Sequence, residues 1–141
     1  PTIEIRIADV CLRTDDTVLI AGLARALVET EARASREARP APKVRTELLR
    51  LAAWRASRSG LDGALVNSVT GQPEPAAAVV HMLLDHCRDE LADAGDTDAV
   101  ADLTAGVLAQ GNGAAFQRAA YYRSGRLSDV IRDAAVVTEG G

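Results

Sequence analysis

The chain has 141 residues, 48% of them hydrophobic, 26% charged and 3% aromatic, with a formal net charge of −4; this is the length of one ordinary domain with enough apolar side chains for a core. Lys43 is the only lysine and the arginines are scattered, so the basic block that binding to a phosphate backbone needs is absent and nucleic acid is excluded as an expected partner. No run reaches the roughly 18 uninterrupted apolar residues of a membrane span, and the start lacks the basic-then-apolar layout of a signal peptide, so the expectation is a cytoplasmic protein with no membrane partner.

Thr2-Ile3-Glu4-Ile5-Arg6-Ile7 alternates strictly, which predicts a β-strand with the isoleucines on one face and Thr2, Glu4 and Arg6 on the other. Thr14-Asp15-Asp16 supplies capping oxygens and negative charge for a helix over 15–36, with Leu19, Leu23, Ala26, Leu27 and Thr30 on its inner stripe. Arg39-Pro40-Ala41-Pro42 cannot continue that helix and forms a short linker. A second helix follows over 44–59, with Val44, Leu48, Leu51 and Ala52 inward and a left-handed cap at Gly60. Residues 63–73 mix an extended run with turn formers and predict a surface loop or small hairpin.

Pro75 suits the first position of a third helix that runs to Gly95, burying Val79, Val80, Leu83, Cys87 and Leu91. Asp96 caps a fourth, with Val100, Leu103, Val107 and Leu108 at helical spacing, until Gly111-Asn112-Gly113 breaks the chain. Two short helices over 114–124 and 127–137 complete the pattern, and the tail after them has nothing to pack against. The expected fold is therefore mainly α: one N-terminal β-strand plus about six helices in a single region over 1–141. A lone strand cannot satisfy its backbone polar groups. Either another polypeptide segment supplies the sheet, which points to a missing N-terminal portion as the partner, or two copies pair as a homodimer.

Cys11 and Cys87 lie far apart without CxxC spacing, so free buried thiols are expected in place of a zinc site or disulfide. His81 and His86 are five apart on one helix, off the spacing that aligns two histidines on a metal. Glu4 and Arg6 project from the same strand face about 7 Å apart. A carboxylate and a guanidinium held there can divide the binding of a metal-phosphate, or form an ordinary salt bridge on a solvated sheet.

The run Pro1-Thr2-Ile3-Glu4-Ile5-Arg6-Ile7-Ala8-Asp9-Val10-Cys11-Leu12 resembles the proline-threonine-x-glutamate-x-arginine-x-x-aspartate segment of the bacterial glutamate–cysteine ligase type 2 (carboxylate–amine ligase) family. Thr14-Asp15-Asp16, Trp54-Arg55-Ala56, Gly60 through Val66, Thr70-Gly71, Gly111-Asn112-Gly113-Ala114 and Gln117-Arg118 extend the likeness over nearly the whole chain, in the family's order. The resemblance implies the C-terminal part of an α+β glutamine synthetase-like catalytic fold, in which a curved antiparallel sheet holds ATP and divalent metal. It implies an enzyme that activates the glutamate side-chain carboxylate with ATP as an acyl phosphate and forms a γ-glutamyl amide with cysteine. ATP and Mg2+ are the implied cofactors and small amino acids the substrates.

By the same analogy Glu4 is the metal ligand and Arg6 the catalytic and cofactor-binding cation, contacting phosphate or a substrate carboxylate. Arg55 is a cofactor-binding candidate, or a surface arginine beside Trp54. Asp9 either orients Arg6 or caps the turn after the strand. Residues 67–71 border the active site or merely connect, and the Gly111-Asn112-Gly113 segment receives an anion or simply breaks a helix. A chain that starts at the active-site strand should be inactive alone. The alternative is a free-standing helical protein–protein interaction module without catalysis, whereas a helical transcription regulator lacks its basic recognition helix here.

Overall fold

The computed structural model describes residues 2–6 and 8–140; Pro1 of the motif, Ile7 of the expected strand and Gly141 of the tail lie outside them. Among the described residues there are seven α-helices and one two-stranded hairpin. The helices are α1 (Thr14–Arg36), α2 (Thr46–Ser59), α3 (Ala76–His86), α4 (Arg88–Asp93), α5 (Thr97–Gln110), α6 (Gly113–Ser124) and α7 (Leu127–Thr138). A 3-10 turn at Gly60–Asp62 leads into β1 (Ala64–Val66), which pairs antiparallel with β2 (Pro73–Pro75), Leu65 facing Glu74.

The core is assembled on one face of α1. Leu19 and Ala26 are buried there against Cys87, Leu91 and Val100, with Leu23, Leu27, Leu83, Leu84, Leu103 and Val107 packed around them. Small residues allow the close approach that this aromatic-poor chain relies on. A Cβ at Gly22 would stand 3.1 Å from Val100 Cγ2, so α1 and α5 meet where α1 has no side chain. Polar groups extend the contact to α4, where Arg33 donates to Glu90 at 2.9 Å and to Asp93 at 2.6 Å. Thr30 Oγ1 lies 2.9 Å from the buried Glu90 carboxylate, giving it a second partner.

Several sequence expectations change in the assembled chain. Residues 2–6 form no ladder with other described residues, among which the one sheet is the β1–β2 hairpin. The expected third helix becomes α3 and α4. Cys87, at φ −99° and ψ 9°, bends the axis while Cys87 N–H→Leu83 O and Leu91 N–H→Cys87 O survive on either side. Pro75 ends β2 instead of opening α3. Asp96 stands at the N-cap of α5 as expected, but its side chain makes no capping hydrogen bond and its carboxylate pairs instead with Arg25.

Gly60 is not in the left-handed helical basin, for at φ 54° and ψ −138° it turns the chain directly into the 3-10 turn. The expected helix over 44–59 begins at Thr46, leaving Val44 outside it, and Leu51 faces solvent: α2 contacts β1, and its Leu48, Ala52 and Arg55 are half-buried, with none of its residues fully buried. Cys87 is fully buried as expected, whereas Cys11 is only half-buried, and both thiols are free.

Helix α1 ends in a paired-bond cap, Arg39 N–H→Ala34 O at 2.9 Å and Ala38 N–H→Ser35 O at 3.1 Å, which forces Ala38 to φ 54°. Glycine adopts that conformation without the Cβ conflict, so Ala38→Gly should raise unfolding free energy by about 0.5–1 kcal/mol after the entropy it adds to the unfolded chain. Urea titration checks this, and a drop in stability would contradict the strained cap. Burial pushes the Cys87 thiol above its ordinary value of 9.0, opposed by hydrogen bonding from Thr30. A raised pKa means that the folded state holds its proton more tightly, so this contribution is complete below pH 9 and declines as pH rises above it. Stability should fall more steeply as pH rises above 9 in the native chain than in Cys87→Ala, which pH-dependent urea titration checks.

Candidate functional site

Alternation in residues 2–6 works in the structure as the sequence requires. Ile3 and Ile5 turn toward α1, lining with Ala24, Arg25, Val28 and Glu29 an open cavity of about 520 Å³. Glu4 and Arg6 turn the other way and pair at 2.7 Å between Oε1 and Nε, with 70% and 82% of their side chains exposed. An ion pair this wet adds little stability, so stability does not explain it. It leaves the outer carboxylate oxygen and the terminal guanidinium nitrogens without another partner among the described residues.

As donors for a metal these groups fit only in part. Magnesium is commonly held by one or two carboxylates with phosphate oxygens and water completing the shell, and Glu4 can be one such ligand. Among the described residues no three of the histidine, cysteine, aspartate and glutamate side chains gather to hold a metal. Arg6, with a planar fork of donors, suits phosphate or carboxylate oxygens.

The chain next enters a cleft of about 420 Å³ bordered by Asp9, Cys11, Leu12, Asp16, Asn112, Gly113 and Gln117. Segments a hundred residues apart in sequence meet here for identifiable reasons. Arg13, which sequence reasoning missed, donates to Asp16 at 3.2 Å, to the Gln110 side chain at 2.8 Å and to the Gly111 carbonyl at 2.5 Å. It thereby ties the start of α1 to the end of α5, where a cation also complements the helix dipole. The signal was weak, because one arginine among many has no pattern of its own. Asn112 caps α6 by accepting from Ala115 N–H at 3.0 Å. Its Nδ2 would lie 3.2 Å from a Cβ on Gly60, and Arg118 reaches Asp62 at 2.8 Å.

Other candidates take structural partners. Asp9 accepts from the adjacent Val10 N–H at 2.8 Å, while Arg6 is engaged by Glu4. Arg55 donates through Nε to the Ala64 carbonyl at 2.9 Å, fastening β1 to α2, and shares no hydrogen bond with Glu4 or Arg6. Buried Asn67 organises residues 67–72, accepting from Val69 and Thr70 N–H and donating to Glu74 at 2.7 Å. His86 pairs with Glu31 at 3.0 Å on the surface.

Fold and site together define a helical segment that carries an exposed carboxylate–guanidinium pair on an unladdered arm. Residues 1–133 match the family model Glutamate-cysteine ligase family 2 (GCS2). The chain belongs to that ligase family. It is 53% identical over 131 residues to a Frankia alni protein provisionally named glutamate–cysteine ligase 2-2, covering 93% of this chain and 34% of that protein. It is 48% identical over 140 residues to a protein of Streptomyces avermitilis provisionally named glutamate–cysteine ligase 2-1, covering 99% of this chain and 39% of that one. A Streptomyces coelicolor relative, provisionally named glutamate–cysteine ligase 2, is 46% identical over 131 residues, 93% of this chain and 36% of its own. The chain thus spans between a third and two fifths of these relatives. No solved structure matches it.

The cap at Asn112 is the joint most accessible to a single substitution. Asn112→Ala should cost about 1 kcal/mol of stability while Asn112→Asp retains most of it. Equal losses in urea titrations of the two variants would show that the side chain's amide, and not its capping oxygen, carries the joint.

Proposed function

We propose that this chain is the helical part of an ATP-dependent carboxylate–amine ligase with a glutamine synthetase-like catalytic sheet. In this reading the γ-carboxylate of glutamate is activated as an acyl phosphate and attacked by the amine of cysteine. The carrying observation is the arm at residues 2–6: Ile3 and Ile5 face α1, the Glu4–Arg6 pair is displayed outward, and the arm forms no ladder with other described residues. Such an arm can add as a strand to a sheet supplied by the rest of a family member. Membership in the family and the greater length of the relatives support the same reading. Exposed apolar side chains such as Trp54, Leu127 and Ile131 offer surface for that remaining part to cover.

The roles follow from the side chains. Glu4 would serve as one ligand to magnesium, whose charge offsets that of the transferring phosphoryl group. Arg6 would hold phosphate or substrate-carboxylate oxygens through its fork of donors, releasing Glu4 from their mutual pair as it does so. Arg55, fixed to the hairpin by Nε, retains its terminal nitrogens for a nucleotide contact. Alone, the chain would be inactive, since one carboxylate and one guanidinium do not make a nucleotide site.

Calorimetry with magnesium-ATP checks this on the chain alone and mixed with the N-terminal two thirds of the Frankia relative. Binding should appear only in the mixture and weaken at least about tenfold with Glu4→Ala, the loss expected for one charge-assisted contact. Binding in the mixture that is indifferent to both Glu4→Ala and Arg6→Ala would refute the assigned roles. Absence of binding in the mixture would refute the shared site.

A further inference from the structure

Between α1, α3, the hairpin and the linker before α2 lies a cavity of about 780 Å³, within the roughly 300–1,000 Å³ of small-molecule sites. Glu4, Arg6 and Arg55, on which the ligase reading rests, do not line it. Its wall is aliphatic: Leu27, Val44, Leu65, Val79, Val80 and Leu83 line it, and all six stay only half-buried in the folded chain. The wall is also held in shape. Asn67, 3% exposed, accepts from Val69 and Thr70 N–H through Oδ1 and donates through Nδ2 to Glu74 and to Met82 Sδ, so the turn that closes one side is fixed before any ligand arrives.

Charge at this cavity comes in both signs. Lys43, the chain's only lysine, is exposed there, and the acids nearest it in sequence, Glu37 and Glu47, are paired with Arg39 and Arg45. Glu31 borders the cavity too, where its Oε1 meets His86 Nε2 at 3.0 Å and its Oε2 has no partner among the described residues. A nucleotide is a poor occupant, because a polyphosphate calls for several cations and a single lysine is present. A fatty acid would satisfy Lys43 but bring a like charge to Glu31. A zwitterion with an apolar side chain complements both groups and the wall.

We propose that this cavity binds a free α-amino acid with a branched aliphatic side chain, its carboxylate on Lys43, its ammonium on Glu31 and its side chain among the leucines and valines. The site stands apart from the ligase reading, since it involves neither nucleotide nor the Glu4–Arg6 pair. Calorimetric titration of the 141-residue chain with L-leucine should show saturable binding. Lys43→Ala and Glu31→Gln should each weaken it by about tenfold or more, the loss expected for one charge-assisted contact. Isocaproate, which lacks the amine, and leucinamide, which lacks the carboxylate, should bind correspondingly less well. Lys43 lies outside every helix and the Glu31 side chain is 53% exposed, so circular dichroism should show unchanged helices in both variants. A chain that does not bind leucine overturns the proposal, as does binding indifferent to either substitution or matched by isocaproate. Binding to the chain alone that vanishes when the N-terminal two thirds of the Frankia relative is added also overturns it, because the cavity would then be a contact between parts of the ligase.

Discussion

The apolar stripe of α1 is the contact on which the other elements depend. Leu19 and Ala26 on that stripe receive Cys87, Leu91 and Val100 from two later stretches of chain, and Gly22 lets α5 approach within van der Waals contact. In a chain with so few aromatic residues, each contact contributes little area, so closeness of approach replaces size. The polar network of Thr30, Arg33, Glu90 and Asp93 continues the same seam. A buried carboxylate in such a seam demands its partners, and two side chains from α1 meet that demand.

Away from this seam, attachment is by named joints instead of broad packing. The α6–α7 hairpin packs mainly on itself and reaches the remainder through Asn112, through the Leu12–Gly113 contact and through Arg118 to Asp62. The α2–hairpin unit is fastened by Arg55 and by the turn around Asn67. These joints involve several of the segments that carry the family likeness. At Asn112, Arg118 and Arg55 the observed partners are structural, whereas the Glu4–Arg6 pair has no structural task that its 70–82% exposure would support. That contrast is why the functional proposal rests on the arm.

Helix positions were largely legible in the sequence because α1, α5, α6 and α7 are delimited by prolines, glycines and a clear period of 3.6. The division of α3 from α4 was not, since the apolar period runs through Cys87 and the bend comes from seating Leu91 and Glu90 against α1. Asp96 and Gly60 fit cap patterns, yet Arg25 captured the first and the approach of Asn112 shaped the surroundings of the second. At the candidate site, the facing of Glu4 and Arg6 was readable from period two alone. Arg13 was invisible, because its three partners lie at both ends of the chain's numbering.

By itself the sequence determined that the chain is mainly helical, that Glu4 and Arg6 share one face and the isoleucines the other, and which family it resembles. Those properties are set by local backbone geometry and by the order of residues. Only the tertiary structure decided that the arm lies along α1 without a ladder, that Arg55 holds the hairpin, and that segments near residues 9 and 112 share a cleft. Such choices depend on which distant donor or acceptor arrives first at each polar group, and a hydrogen bond has no signature in the spacing of one of its partners.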